Sequence, residues 1–91
     1  MRLHWTAAAR ADLRRVYGFL APKNPRAAAA AMDVLTEAPN QLLLQPHIGQ
    51  RIDSIGGHDV RRILVGDYEL RYSLVGEEIR VARIFHTRED R

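Results

Sequence analysis

The sequence predicts an α+β fold: an N-terminal strand, an α-helical hairpin, then a three-stranded antiparallel meander, in the order β-α-α-β-β-β. Val60 to Arg91 carries runs rich in Val, Ile, Leu, Tyr and Phe, punctuated by Gly66-Asp67 and Gly76-Glu77, which is the pattern of strands joined by two tight turns. Between Ala7 and Ala38 the apolar spacing is instead helical and is broken once, at Ala21-Pro22. With 91 residues, the chain has room for one domain, spanning 1–91, and for no second core.

Arg2 to Trp5 reads as the first strand, with Leu3 and Trp5 on one side and Arg2 and His4 on the other. Thr6 stands at an N-cap position, its hydroxyl placed to accept from an amide of the first helical turn. In the helix that follows, Ala9, Leu13, Val16, Tyr17 and Leu20 form the apolar stripe, and Arg10, Asp12, Arg14 and Arg15 are expected outside it. Asn24 caps a second helix whose first position suits Pro25, because a proline there forfeits no hydrogen bond. Its buried stripe is Ala28, Ala31, Met32, Leu35 and Ala38, small enough for the two helices to approach closely.

Pro39 ends that helix, since an interior proline costs roughly 3 kcal/mol, and Asn40 to Leu44 add a further turn whose three leucines are expected to pack under the sheet. Gln45 to His58 is irregular, with Arg51 to Ile55 pairing briefly as an edge. The meander is then Asp59–Val65, Tyr68–Val75 and Ile79–His86. In its middle strand Tyr68, Leu70, Tyr72 and Leu74 alternate with Glu69, Arg71 and Ser73, so one face meets the helices and the other is wet. In the last strand, alternation puts Val81, Arg83 and Phe85 on one face and Ala82, Ile84 and His86 on the other.

Composition narrows the function classes. The absence of cysteine excludes a disulfide framework and thiolate metal sites and fits a reducing cytoplasm. No apolar run is long enough to span a bilayer and no export signal is present, so a soluble cytoplasmic protein without membrane contact is expected. The net charge is +3 and Lys23 is the only lysine, so the basic groups are forks suited to carboxylates and phosphates. His4, His47, His58 and His86 are scattered singly, without the spacing of a metal site, and no glycine-rich phosphate loop or nucleophile elbow is present. Neither a metal nor a cofactor is expected. Arg61, Arg62, Arg71, Arg83, His86 and Arg88 remain on and beside the sheet. Cations over a phosphate with a histidine as acid or base would be the parts of metal-free RNA cleavage. The bland alternative is a solvated sheet face, where arginine is ordinary.

The element order, with Val60-Arg61-Arg62, Val65-Gly66-Asp67-Tyr68, Tyr72 and Phe85-His86-Thr87-Arg88, resembles the RelE/ParE superfamily of toxins from type II toxin–antitoxin pairs. The Trp, Ala and Asp-Leu of residues 3 to 13 and Pro46-x-x-Gly49 extend the resemblance over nearly the whole chain. RelE-like members cut mRNA on the ribosome; ParE-like members poison DNA gyrase without hydrolytic residues of their own. Where the RelE pattern has an arginine ahead of the third-strand tyrosine this chain has Leu64, and it lacks both the late tyrosine and the paired lysines of that branch. The ParE branch is the better match, through Val60-Arg61-Arg62 and His86-Thr87-Arg88-Glu89-Asp90.

That resemblance implies a gyrase inhibitor of the plasmid-stabilising type, with Arg61, Arg62, His86 and Arg88 as target contacts. If the chain were instead a ribosome-dependent endonuclease, His86, Arg88 and Arg62 would be the catalytic candidates. It further implies a small, acidic, ParD-like cognate antitoxin, with Leu13, Tyr17 and Leu20 as its docking residues, and operator DNA bound only through that antitoxin.

Overall fold

A computed structural model describes residues 1–53 and 58–88. Its elements run β1 (Arg2–Trp5), α1 (Ala7–Leu20), α2 (Pro25–Glu37), α3 (Asn40–Leu44), β2 (Gln50–Asp53), β3 (Asp59–Val65), β4 (Tyr68–Val75) and β5 (Glu78–His86). The α+β order is as predicted, but the meander is the middle of a larger sheet. Five strands lie in the order β1-β5-β4-β3-β2, with β1 parallel to β5 and every other pair antiparallel. The expected edge over Arg51 to Ile55 appears as β2; Ser54 and Ile55 lie outside the described residues.

Each helix starts where its cap residue stands. Thr6 is extended and its Oγ1 accepts from Ala9 N at 3.1 Å; Asn24 is also extended and its Oδ1 accepts from Ala27 N at 3.1 Å. Pro39 separates α2 from α3 as expected. Of the three leucines that follow, only Leu42 is buried. Leu43 and Leu44 are exposed, because a helix of five residues turns just one narrow face to the core.

The helices cover one face of the sheet. Ala9, Val16, Leu35 and Leu42 pack on Leu70, Tyr72, Ile79, Val81 and Ile84. The turns are two-residue hairpins with Gly66 at φ 59° and Gly76 at φ 58°, values that other residues rarely adopt. Strict alternation fails in β5. The register slips between Arg71 and Tyr72, which pair with Arg83 and Val81, leaving Ala82 as a bulge. Val81 therefore faces the helices and not the side of Arg83 and Phe85, as uninterrupted alternation had implied.

Tyr72 organises the segment before β2. Its buried hydroxyl donates to Pro46 O at 2.7 Å and accepts from Gly49 N at 3.0 Å. A Cβ at Gly49 would lie 2.6 Å from that hydroxyl oxygen and 2.8 Å from Arg62 O, so no side chain fits there. Gly49→Ala is expected to cost about 1–3 kcal/mol, read as a lower urea midpoint with an unchanged slope.

Candidate functional site

The face of the sheet that the helices leave uncovered carries the cations. Register places Gln50, Arg62, Arg71 and Arg83 in one row across β2 to β5, with Leu64, Glu69 and Phe85 in the next. Arg62 reaches Gln50 Oε1 through Nε at 3.1 Å and Nη2 at 2.9 Å, and Glu69 Oε1 through Nη1 at 3.3 Å. Arg71 Nε donates to Glu69 Oε2 at 2.7 Å. Glu69 is thus only 2% exposed on the side expected to be wet, its charge taken from water because two guanidiniums replace the water.

The row continues through an aromatic ring. Arg71 and Arg83 lie 5.1 and 4.9 Å from the centroid of Phe85, within cation–π range. Arg83 then turns around the sheet margin to Asp12 on α1, with Nε to Oδ2 at 2.8 Å and Nη2 to Oδ1 at 3.1 Å. Asp12 was expected on the outer face of α1, yet it is buried. The reason is the short β1, which pairs with β5 only from Glu78 to Val81.

Past that point three side chains substitute for the missing strand. Thr6 Oγ1 donates to Ala82 O at 3.0 Å, Asp12 Oδ2 accepts from Ile84 N at 2.8 Å, and Arg15 Nη2 donates to Ile84 O at 3.2 Å. Burial by itself would raise the Asp12 pKa. Hydrogen bonds from Arg83 and Ile84, the Arg83 charge and Arg15 outweigh it and hold the carboxyl below its usual value.

The expected site residues fall into separate places. Arg61 points to the helix side, where it donates to Asp59 Oδ1 at 3.0 Å and to the carbonyls of His47 and Gly49, each at 2.9 Å. Arg62, its neighbour, points to the open face. His86 shares the helix side with Leu70 and Ile84, at the end of β5, edge-on to Tyr68 with centroids 5.3 Å apart. Its Nδ1 accepts from Arg88 N at 3.1 Å. His86 and Arg88 are therefore together, while Arg62 is two strands away on the opposite face.

Leu13 and Leu20 are partly buried against the core; Tyr17 is 48% exposed and the neighbouring Phe19 65%. Leu20, Phe19, His86 and Arg88 nevertheless line one cavity, so the outer end of α1 and the end of β5 adjoin. Among the described residues no group of His and carboxylates is arranged to hold a metal ion.

Residues 3–91 match the family model of the ParE toxin of type II toxin–antitoxin systems, parDE. The chain belongs to the ParE toxin family. A curated relative, Toxin RelE1 of Caulobacter vibrioides, is 34% identical over 94 residues, covering 91% of this chain and 89% of that protein. Among solved structures, a chain of the chromosomal ParDE toxin–antitoxin system from P. aeruginosa superposes with a TM-score of 0.80 at 27% identity, over 94% of this toxin and 95% of that chain. As a type II toxin, the protein has an antitoxin as its partner. No helix among the described residues is long and apolar enough to cross a membrane.

Sequence reasoning overlooked Asp12 and the bridge it makes to β5. The signal was present in the spacing: Ala9, Asp12 and Val16 follow each other at three and four residues, which puts Asp12 inside the buried stripe.

Proposed function

We propose that this toxin stops growth in the cytoplasm by binding DNA gyrase and trapping covalent gyrase–DNA complexes, and that a ParD-like antitoxin neutralises it. The observation that carries the reading is the state of the open face. Leu64 stands directly across from Glu69, where a cleaving enzyme of the superfamily would carry a cation. Glu69 binds Arg62 and Arg71, while Asp12 binds Arg83, so the carboxylates beside these arginines already serve as their counter-ions.

Binding needs no acid–base pair, and the parts best placed for it are Arg62 on the open face and His86 with Arg88 at the end of β5. Arg61 contributes indirectly, by fixing the turn from His47 to Gly49. Tyr17 with Phe19 supplies the exposed apolar part of α1 for the antitoxin, and Leu13 and Leu20 support it from beneath. Operator DNA would be reached through the antitoxin.

Ribosome-dependent mRNA cleavage is the second reading, favoured by the row Arg62, Arg71 and Arg83 and by the name of the Caulobacter relative. Brief expression without antitoxin separates the two. The gyrase reading predicts early loss of DNA synthesis with a DNA-damage response; early translation arrest with cleaved mRNA and no such response would contradict it.

Arg88 is exposed just past the end of β5, its backbone N–H donating to His86 Nδ1. Arg88→Ala is expected to reduce killing on the order of tenfold, measured as surviving colonies, while antitoxin affinity stays within about threefold. Equal loss of both would make the segment purely structural.

A further inference from the structure

The cations of the open face extend past the row of Arg62, Arg71 and Arg83. Register puts Arg2 of β1 level with Glu78 and His4 level with Arg80 of β5, on the side away from Leu3, Ile79 and Val81, which pack with the core. Ser73 on β4, level with Arg80, links this group to the row on β3, β4 and β5. Five arginines therefore stand on one face, where they outnumber the carboxylates. Arg62, Arg71, Arg80 and Arg83 keep 38%, 34%, 47% and 47% of their side chains exposed.

The carboxylates orient these forks as well as balancing them. Glu69 and Glu78 each stand two positions before an arginine on the same strand, so each pair shares a face. The bond goes to Nε, at 2.7 Å in Arg71 and 2.6 Å in Arg80. Among the described residues these two guanidiniums are hydrogen-bonded through Nε, which leaves Nη donors for a phosphate oxygen. Arg62, Arg71 and Arg83 sit on adjacent strands about 4.8 Å apart, so the row spans about 10 Å, a length in which one strand of a duplex carries about three phosphates. Phe85 is the aromatic ring of this face, and Arg71 and Arg83 already take it up. Recognition of unpaired bases runs on open stacking platforms, so a face built in this way suits the backbone of a duplex.

We propose that the open face binds the phosphate backbone of duplex DNA through Arg62, Arg71 and Arg80, and that this DNA is the segment held by gyrase. The inference rests on the gyrase reading and deepens it. A ligand that traps the covalent complex must bind it more tightly than the resealed one. Cleavage changes where DNA lies relative to the enzyme, and a toxin that touches both is sensitive to that change. The division of the candidate site then has a reason: Arg62 and its row meet DNA, while His86 and Arg88, on the other side, meet protein. Phosphate contacts carry no sequence information, so the choice of operator stays with the antitoxin.

The purified full-length toxin is titrated onto short fluorescein-labelled DNA duplexes at several salt concentrations, followed by anisotropy. Wild type is compared with the double variant Arg62→Gln/Arg80→Gln, which leaves Arg71 on Glu69, and circular dichroism checks folding. For wild type the logarithm of affinity should fall against the logarithm of salt with a slope of about −3, and two unrelated duplex sequences should bind within about threefold of each other. The double variant should lose on the order of tenfold in affinity and about 2 of that slope; Arg80→Gln alone, on the rim of the face, should lose about 1 of it. With gyrase and plasmid the double variant should leave about tenfold less linear DNA, while its affinity for DNA-free gyrase stays within about threefold. A salt slope near zero, or tighter binding to single-stranded RNA than to the duplex, would overturn the proposal. So would full trapping by the double variant, which would leave the gyrase reading standing. Salt-dependent duplex binding by a toxin that spares gyrase would defeat the functional reading and leave the DNA-binding face.

Discussion

Tyr72→Ala is expected to destabilise the toxin by about 3–5 kcal/mol, most of the stability a domain of this size has, and to leave it largely unfolded. Tyr72 is fully buried among Leu70, Val81 and the helices, so truncation opens a cavity, and the same change frees Pro46 O and Gly49 N at once. Tyr72→Phe isolates the hydroxyl and should cost about 1–3 kcal/mol, with the helix–sheet core intact. Chemical denaturation followed by circular dichroism measures both. A folded, toxic Tyr72→Ala would mean that the middle strand does not turn this face to the core. Burial pushes the Tyr72 phenol above its usual pKa, with the Gly49 hydrogen bond and Arg61 opposing. The neutral ring's contribution is therefore complete below about pH 10 and is lost as pH rises through the higher folded value.

Asp12→Ala is expected to cost about 2–3 kcal/mol, through an Ile84 N–H left without a partner and the loss of the Arg83 fork. The figure sits below that of a fully buried pair because the Arg83 and Arg15 side chains are 47% and 45% exposed and can turn to water. Asp12→Asn keeps an oxygen for Ile84 N and should cost about half as much. The change should also loosen the end of β5 and lower toxicity together with stability, unlike Arg88→Ala. Because the folded Asp12 pKa is depressed, its contribution is present above about pH 4 and disappears as pH falls through the folded value. The acid transition of wild type should therefore be steeper than that of Asp12→Asn, as read by circular dichroism across a pH series.

The hairpins, the caps and the core face of β4 were legible in the sequence because each depends on local chemistry. Gly66 and Gly76 mark turns that need positive φ, Thr6 and Asn24 each supply an oxygen to a free amide, and Tyr68 to Leu74 alternate without interruption. What was not legible depends on meetings between distant residues. Nothing near Ala82 announces a bulge; it appears where β5 leaves β1 and comes under α1. Asp12 and Ile84 stand 72 positions apart, and only the closed sheet brings them to 2.8 Å. The candidate site divided for the same reason. Arg61 and Arg62 are adjacent in sequence and on opposite faces of β3, one holding a turn and the other facing solvent beside Glu69.

The reading of the toxin as a binding inhibitor is tested most directly by incubating the purified protein with DNA gyrase and plasmid, then releasing trapped complexes with detergent and protease. Inhibited supercoiling with accumulation of linear plasmid, suppressed by the antitoxin and absent without gyrase, is the predicted result. Unimpaired supercoiling and no linear plasmid, with cleavage of mRNA when programmed ribosomes replace gyrase, would contradict it.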